Sequence, residues 1–119
     1  MLIFGGVYDT NLKYNDTYVL KVGSTMEWSQ PPNQSSGGIP KNVESKIGAP
    51  DPRYCHTGVY LKTVNSVAIF GGHGGVHYQR KSFNDLYMID CDEFEWRRIE
   101  PLGQGPSPRG GHVAGLMPN

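Results

Sequence analysis

The chain has 119 residues, enough for one small domain or part of a larger one but not for two. Glycine (16) and proline (9) together make up about a fifth of it, against about an eighth in average usage, which argues against a mostly helical fold. Eleven basic residues balance eleven acidic ones and neither half is markedly one-signed, so the electrostatic footprint of a nucleic-acid-binding or polybasic membrane-binding protein is missing.

In chain order, Met1 to Phe4 is apolar for only four residues before Gly5, Gly6 and Asp9. With no basic leader and no small-residue cleavage site, it does not read as a secretory signal. No apolar run approaches the roughly 18 residues of a membrane-spanning helix. Residues 31–49 form a polar inserted loop carrying Gln34, Ser35, Ser36, Lys41, Asn42 and Lys46. Strands are expected at about 56–61, 66–71, 84–90 and 95–99. Ser66 to Phe70 is a β-branched and aromatic run stopped by glycines, and Leu86 to Ile89 is apolar at every position, as in strands covered on both faces. Lys62 to Asn65 and Asp90 to Glu93 read as hairpin turns. Residues 73–83 read as a long loop and 101–119 as a linker followed by one more strand, at 111–117.

Four landmarks occur twice in the same order. Ile3-Phe4-Gly5-Gly6 returns as Ile69-Phe70-Gly71-Gly72, and Asn15-Asp16-Thr17-Tyr18 as Asn84-Asp85-Leu86-Tyr87. Glu27-Trp28 returns as Glu95-Trp96, and Pro50-Asp51-Pro52-Arg53 with His56 as Pro106-Ser107-Pro108-Arg109 with His112. The offsets are 66, 69, 68 and 56, so the copies differ only by loop insertions. A repeat of this kind signals an array of identical supersecondary units.

The pairing of an apolar strand ending in Gly-Gly with Asn-Asp-x-Tyr, a later Trp and Pro-x-Pro-Arg-x-x-His resembles the kelch repeat family, over nearly the whole chain twice. The resemblance implies an all-β fold of four-stranded antiparallel blades of a β-propeller, one blade per repeat of about 50 residues. Residues 1–30 would supply strands two to four of a first blade, 50–100 a complete second blade, and 101–119 a linker and the first strand of a third. That is two blades' worth, an incomplete propeller, since a ring needs about four to eight. The open blade edges of an isolated chain are expected to drive self-association.

Each landmark has a structural reason. Gly5, Gly6, Gly71 and Gly72 stand where a side chain would block a close approach or a positive φ. Tyr18, Tyr87, Trp28 and Trp96 bring large buriable surfaces for packing between blades. Arg53 and Arg109 can donate to carbonyls left unpaired near the propeller axis, with His56 and His112 three residues on.

For function, the loops before strand one and after strand two share one end of the blade, and both long insertions lie there. Tyr78, Arg80 and Lys81 are the candidate partner-binding residues, for a protein partner with an acidic or phosphorylated segment. His73 and His77 stand four apart in a glycine-rich loop with no third ligand, so no metal is expected. Cys55 and Cys91 fall at opposite ends of the blade, beyond disulfide reach. Cys55 and His56 point to opposite faces if both lie in one strand, which argues against a catalytic thiol–imidazole pair. The acidic cluster Asp90, Asp92, Glu93 and Glu95 reads as a solubilising hairpin. No cofactor is expected, and scarce cysteine suits an intracellular, cytoplasmic setting. The expectation is a non-catalytic interaction module, or scaffold. The alternative is a targeting region of a larger enzyme such as a Ser/Thr protein phosphatase, since kelch arrays occur fused to such catalytic domains.

Overall fold

A computed structural model describes residues 1–9, 12–31, 48–75 and 79–118. The described residues form ten strands and one 3-10 turn. Strands β1 (Leu2–Val7), β2 (Lys13–Lys21) and β3 (Glu27–Ser29) make an antiparallel sheet in the order β1-β2-β3. Further along the chain come β4 (Arg53–Tyr54), β5 (Thr57–Leu61), the turn Lys62–Val64, β6 (Ser66–Phe70), β7 (His73–Gly74), β8 (Lys81–Ser82), β9 (Leu86–Asp90) and β10 (Trp96–Ile99). Four of these, in the order β10-β9-β6-β5, form a meander of neighbouring antiparallel strands. That is the blade expected from the second repeat.

The two sheets share one register. Ile3 faces Tyr18 in the first as Ile69 faces Tyr87 in the second, and Leu20 faces Trp28 as Ile89 faces Trp96. Because side chains alternate faces along a strand, matched cross-strand pairs put matched residues on the same blade face. The hairpin turns form as their residues dictate. Asn65 adopts the left-handed conformation that Asn tolerates, with φ 44°. The Asp90 carboxylate accepts hydrogen bonds from the backbone N–H groups of Asp92 (2.8 Å) and Glu93 (2.6 Å). Asp90 is therefore a turn-former in the acidic hairpin.

Three features depart from the sequence reading. The glycine pair does not end β1, which continues past a bulge between Phe4 and Gly6 to Val7. The 73–83 stretch contributes β7 and β8, which join β4 in a third small sheet, order β4-β7-β8. Residues 111–117 form no strand: a first strand pairs with the second strand of its own blade, and β6 is already flanked by β5 and β9.

The core lies between the two larger sheets, where Phe4 of the first meets Ile69, Ile89 and Trp96 of the second. The Phe4 and Trp96 rings are 4.8 Å apart and tilted. Leu2, Ala49, Val67, Tyr87 and Phe94 pack around this cluster. Equivalent residues differ sharply in exposure: Trp96 is 7% and Ile69 2% exposed, while Trp28 is 51% and Ile3 44% exposed. The first sheet covers the second, and nothing in the described chain covers the first.

Trp96→Ala is accordingly expected to destabilise the fold by about 3–5 kcal/mol, and Trp28→Ala by less than about 1 kcal/mol. Urea unfolding of the two variants side by side measures the difference, and equal losses would contradict this core.

Candidate functional site

The lead-in Pro50-Asp51-Pro52 delivers Arg53 into the interior, where its side chain has no solvent exposure. Its guanidinium donates from Nε to the Asp51 carbonyl (3.1 Å) and from Nη1 to the Gly71 carbonyl (3.0 Å). It also grips Asp85 with both ends of the fork, Nη1 to Oδ1 (2.5 Å) and Nη2 to Oδ2 (3.0 Å). The Phe83 ring lies under it, 4.0 Å from Cζ. A buried cation needs such a partner, because desolvating it unpaired costs several kcal/mol. The sequence reading supplied carbonyls as the partners of Arg53 and missed Asp85. The signal was present, since an aspartate and an arginine recur together in both repeats.

Arg53 belongs to a joint built twice. The His56 ring meets Phe4 edge-on at 5.5 Å, as His112 meets Phe70 at 5.4 Å. Asn15 donates to the Pro50 carbonyl as Asn84 does to Pro106, each at 3.3 Å. A Cβ on Gly5, whose φ is +68°, would lie 2.9 Å from the Arg53 carbonyl oxygen; on Gly71, at φ +67°, it would lie 2.7 Å from that of Arg109. Close approach and backbone conformation thus both demand glycine at these two positions. Arg109 differs from Arg53 in its side chain, which is exposed and satisfied locally by the Ser107 carbonyl (3.1 Å) and hydroxyl (2.9 Å). Gly6 and Gly72 carry positive φ beside these positions. Tyr87 packs against Trp96, while Tyr18 and Trp28 stand exposed on the first sheet.

The third sheet makes the neighbouring end of the blade. Pairing of β4 with β7 brings the loop before strand one against the loop after strand two. The Tyr54 and His73 rings meet at a tilt of 55°, their centres 5.7 Å apart, and His73 Nδ1 lies 2.9 Å from the Ser82 hydroxyl. Arg80 and Lys81 are exposed, with Lys81 Nζ 5.3 Å from the Phe83 ring centre, and neither forms an ion pair among the described residues. Tyr78, His77 and the polar residues between 34 and 46 lie outside the described residues.

Burial holds His56 below its ordinary value near 6.5, helped by Arg53 and His112, with a hydrogen bond to the Phe4 backbone working the other way. His73 is also lowered, by burial first and then by Arg80 and His112. Both cysteines are free thiols. Burial, then Asp90 and Asp92, push the Cys91 thiol up, away from the reactive thiolate. Cys55 sits in a left-handed turn, φ 57°, between β4 and β5 rather than in a strand with His56. Among the described residues no three His, Cys, Asp or Glu side chains gather as a metal site. Among the described residues no helix is long and apolar enough to cross a membrane.

Matched registers, the paired-glycine joint and the four-stranded meander define kelch-type blades of a β-propeller. The chain belongs to the KLHDC2/KLHL20/DRC7 Kelch-repeats domain family, whose pattern matches residues 1–119. It is 30% identical to dynein regulatory complex subunit 7 of Chlamydomonas reinhardtii, over 96% of this chain and 8% of that protein. It is likewise 30% identical to acyl-CoA-binding domain-containing protein 5 of Arabidopsis thaliana, over 95% of this chain and 15% of that protein. Identity to the Rho GTPase-activating protein gacHH of Dictyostelium discoideum is 34%, over 93% of this chain and 6% of that protein. The chain therefore spans less than a sixth of the length of these relatives.

Removing one partner of the buried pair, as in Arg53→Ala, is expected to cost about 3–5 kcal/mol, read as a lowered denaturation midpoint. A loss under 1 kcal/mol would show that Asp85 and the carbonyls do not depend on Arg53.

The histidines make a second prediction. Below about pH 6.5 the unfolded chain takes up protons that His56 and His73 refuse in the fold, so stability is full above that pH and declines as pH falls. Thermal melts at pH 7.5 and 5.5 should differ accordingly, with a smaller difference in His56→Gln. An unchanged difference would remove His56 as a cause.

Proposed function

We propose that the chain is a non-catalytic protein-interaction module whose binding face is the end formed by β4, β7 and β8. Arg80 and Lys81, with Tyr78 beside them in sequence, take an acidic or phosphorylated segment of a protein partner. The observation that carries this reading is the pair of exposed cations that form no ion pair among the described residues, on strands anchored to a rigid blade. Arginine suits carboxylate and phosphate oxygens because its planar fork can bind two at once. Loops held by a rigid scaffold are where propellers and similar folds place recognition.

The likeness to a dynein regulatory complex subunit supports work within a protein assembly; a cytoplasmic setting, without nucleic acid or membrane as partner, belongs to the same reading. A targeting role beside a catalytic domain is a second reading, favoured by the likeness to a Rho GTPase-activating protein; a phosphatase in that place is the particular form raised by the sequence. In either case the open blade edges are further docking surfaces through which an isolated chain self-associates.

Fluorescence polarisation with a set of phosphorylated and acidic peptides tests the binding face. Binding should weaken with salt and fall at least about tenfold in the Arg80→Ala, Lys81→Ala double variant, the equivalent of about 1.4 kcal/mol. Equal binding by both proteins would remove this loop from consideration, and turnover of the phosphopeptide would overturn the non-catalytic reading.

A further inference from the structure

The two lead-ins of the repeat differ in their second residue. Pro50-Asp51-Pro52-Arg53 returns as Pro106-Ser107-Pro108-Arg109, so a hydroxyl stands where the other copy carries a carboxylate. The backbone arrangement is shared: each arginine Nε donates to the carbonyl two residues back, that of Asp51 or Ser107, at 3.1 Å. Asp51 and Ser107 are both exposed. Asp51 stays so although Arg53 beside it is fully buried, so the exposure of Ser107 is a property of the lead-in and not of what stands next to Arg109.

The surroundings of Ser107 suit an enzyme that binds its substrate extended. Residues 104–107 enter no helix or strand. Pro106 and Pro108 have no N–H to lend to a sheet ladder, and Pro108 disfavours the helical conformation at Ser107. Anchors lie on either side: the Pro106 carbonyl accepts from Asn84 at 3.3 Å, and the backbone of Arg109 bonds to Phe83 and Gly72. Ser107 is also the one serine or threonine of the chain that precedes a proline. Ser82, which follows Arg80 and Lys81, is half-buried against His73 and precedes the buried Phe83, so it offers no such stretch. A ligand for a phosphate is already in place at Ser107. Arg109 Nη2 lies 2.9 Å from Ser107 Oγ, and Arg109 forms no ion pair among the described residues.

We propose that Ser107 is a phosphorylation site for a proline-directed protein kinase, and that the phosphate locks Arg109 to its own lead-in. Such kinases take proline after the acceptor because it brings no N–H to be left unpaired in their cleft. ATP is the donor: a bond forms between Ser107 Oγ and the γ-phosphorus, the bond from that phosphorus to the ADP oxygen breaks, and the hydroxyl proton leaves to the kinase's base. The product sets close to two negative charges beside the guanidinium. The hydrogen bond from Arg109 to a neutral hydroxyl becomes one to an anion, which is stronger and can engage both ends of the fork. Phosphoserine thus reproduces the acidic character of Asp51 with a larger charge, and any other partner of Arg109 must displace it.

The full chain, incubated with Mg-ATP and either a mitogen-activated or a cyclin-dependent kinase, should take up a single phosphate, placed at Ser107 by tandem mass spectrometry. Ser107→Ala should lose it and Ser107→Thr keep it, with circular dichroism showing both variants folded. Phosphorus NMR of the product then reads the arginine contact: the second ionisation of the phosphate should fall below its ordinary value of about 6 and return toward it in Arg109→Gln. Failure of both kinases on the folded wild-type chain, or undiminished uptake by Ser107→Ala, would overturn the site. A phosphate that ionises identically with and without Arg109 would overturn the lock.

Discussion

The buried guanidinium of Arg53 is the interaction on which the rest of the described structure turns. Its desolvation is tolerable only because every direction around it is filled: two carbonyls, both oxygens of Asp85 and the face of Phe83. Those partners come from the lead-in, the end of β6, the start of strand three and the preceding loop. One side chain therefore holds together three stretches distant in sequence, at residues 51–53, 71 and 83–85. Gly71 follows from it as well, since the backbone that carries the next arginine must pass where a Cβ would stand.

A joint of this kind gives direction to the array. Each blade offers an aromatic, a paired glycine and an asparagine to the blade after it, and a tryptophan to the blade before it. Residues equal in sequence are thus unequal in energy: Trp96 helps to form the core because Phe4 lies on it, and Trp28 waits on the surface. The same rigidity fixes β4 against β7, which turns a glycine-rich loop into a platform for Arg80 and Lys81. Scaffold and proposed binding face are linked by residue 53 itself, which begins β4 while its side chain anchors the blade.

Much of this was legible from residue types alone. The strand runs around Ile69 and Met88, the hairpin turns at Asn65 and Asp90 and the doubled landmarks all carry local signals, either period or turn chemistry. The third sheet carried none. Strands of two residues such as Arg53–Tyr54 and His73–Gly74 are too short to show a period, and they pair only because the blade brings them together. Asp85 was read as part of a recurring landmark, but its role depends on a cation 32 positions away. Residues 111–117 show the opposite case, a strand-like stretch that stays unpaired because its partner strand is not among β1 to β10.

By itself the sequence determined the repeat, the strand runs and the neutral charge, because these depend on local patterns and on composition, and the resemblance of the repeat to kelch implied the all-β class and the order of strands within a blade. Only the tertiary structure decided which copy of each landmark is buried, which carboxylate neutralises Arg53 and which cations stand exposed at the blade end. Burial and ion pairing are properties of neighbours in space, and 119 residues rich in glycine and proline name those neighbours only once the two sheets have met.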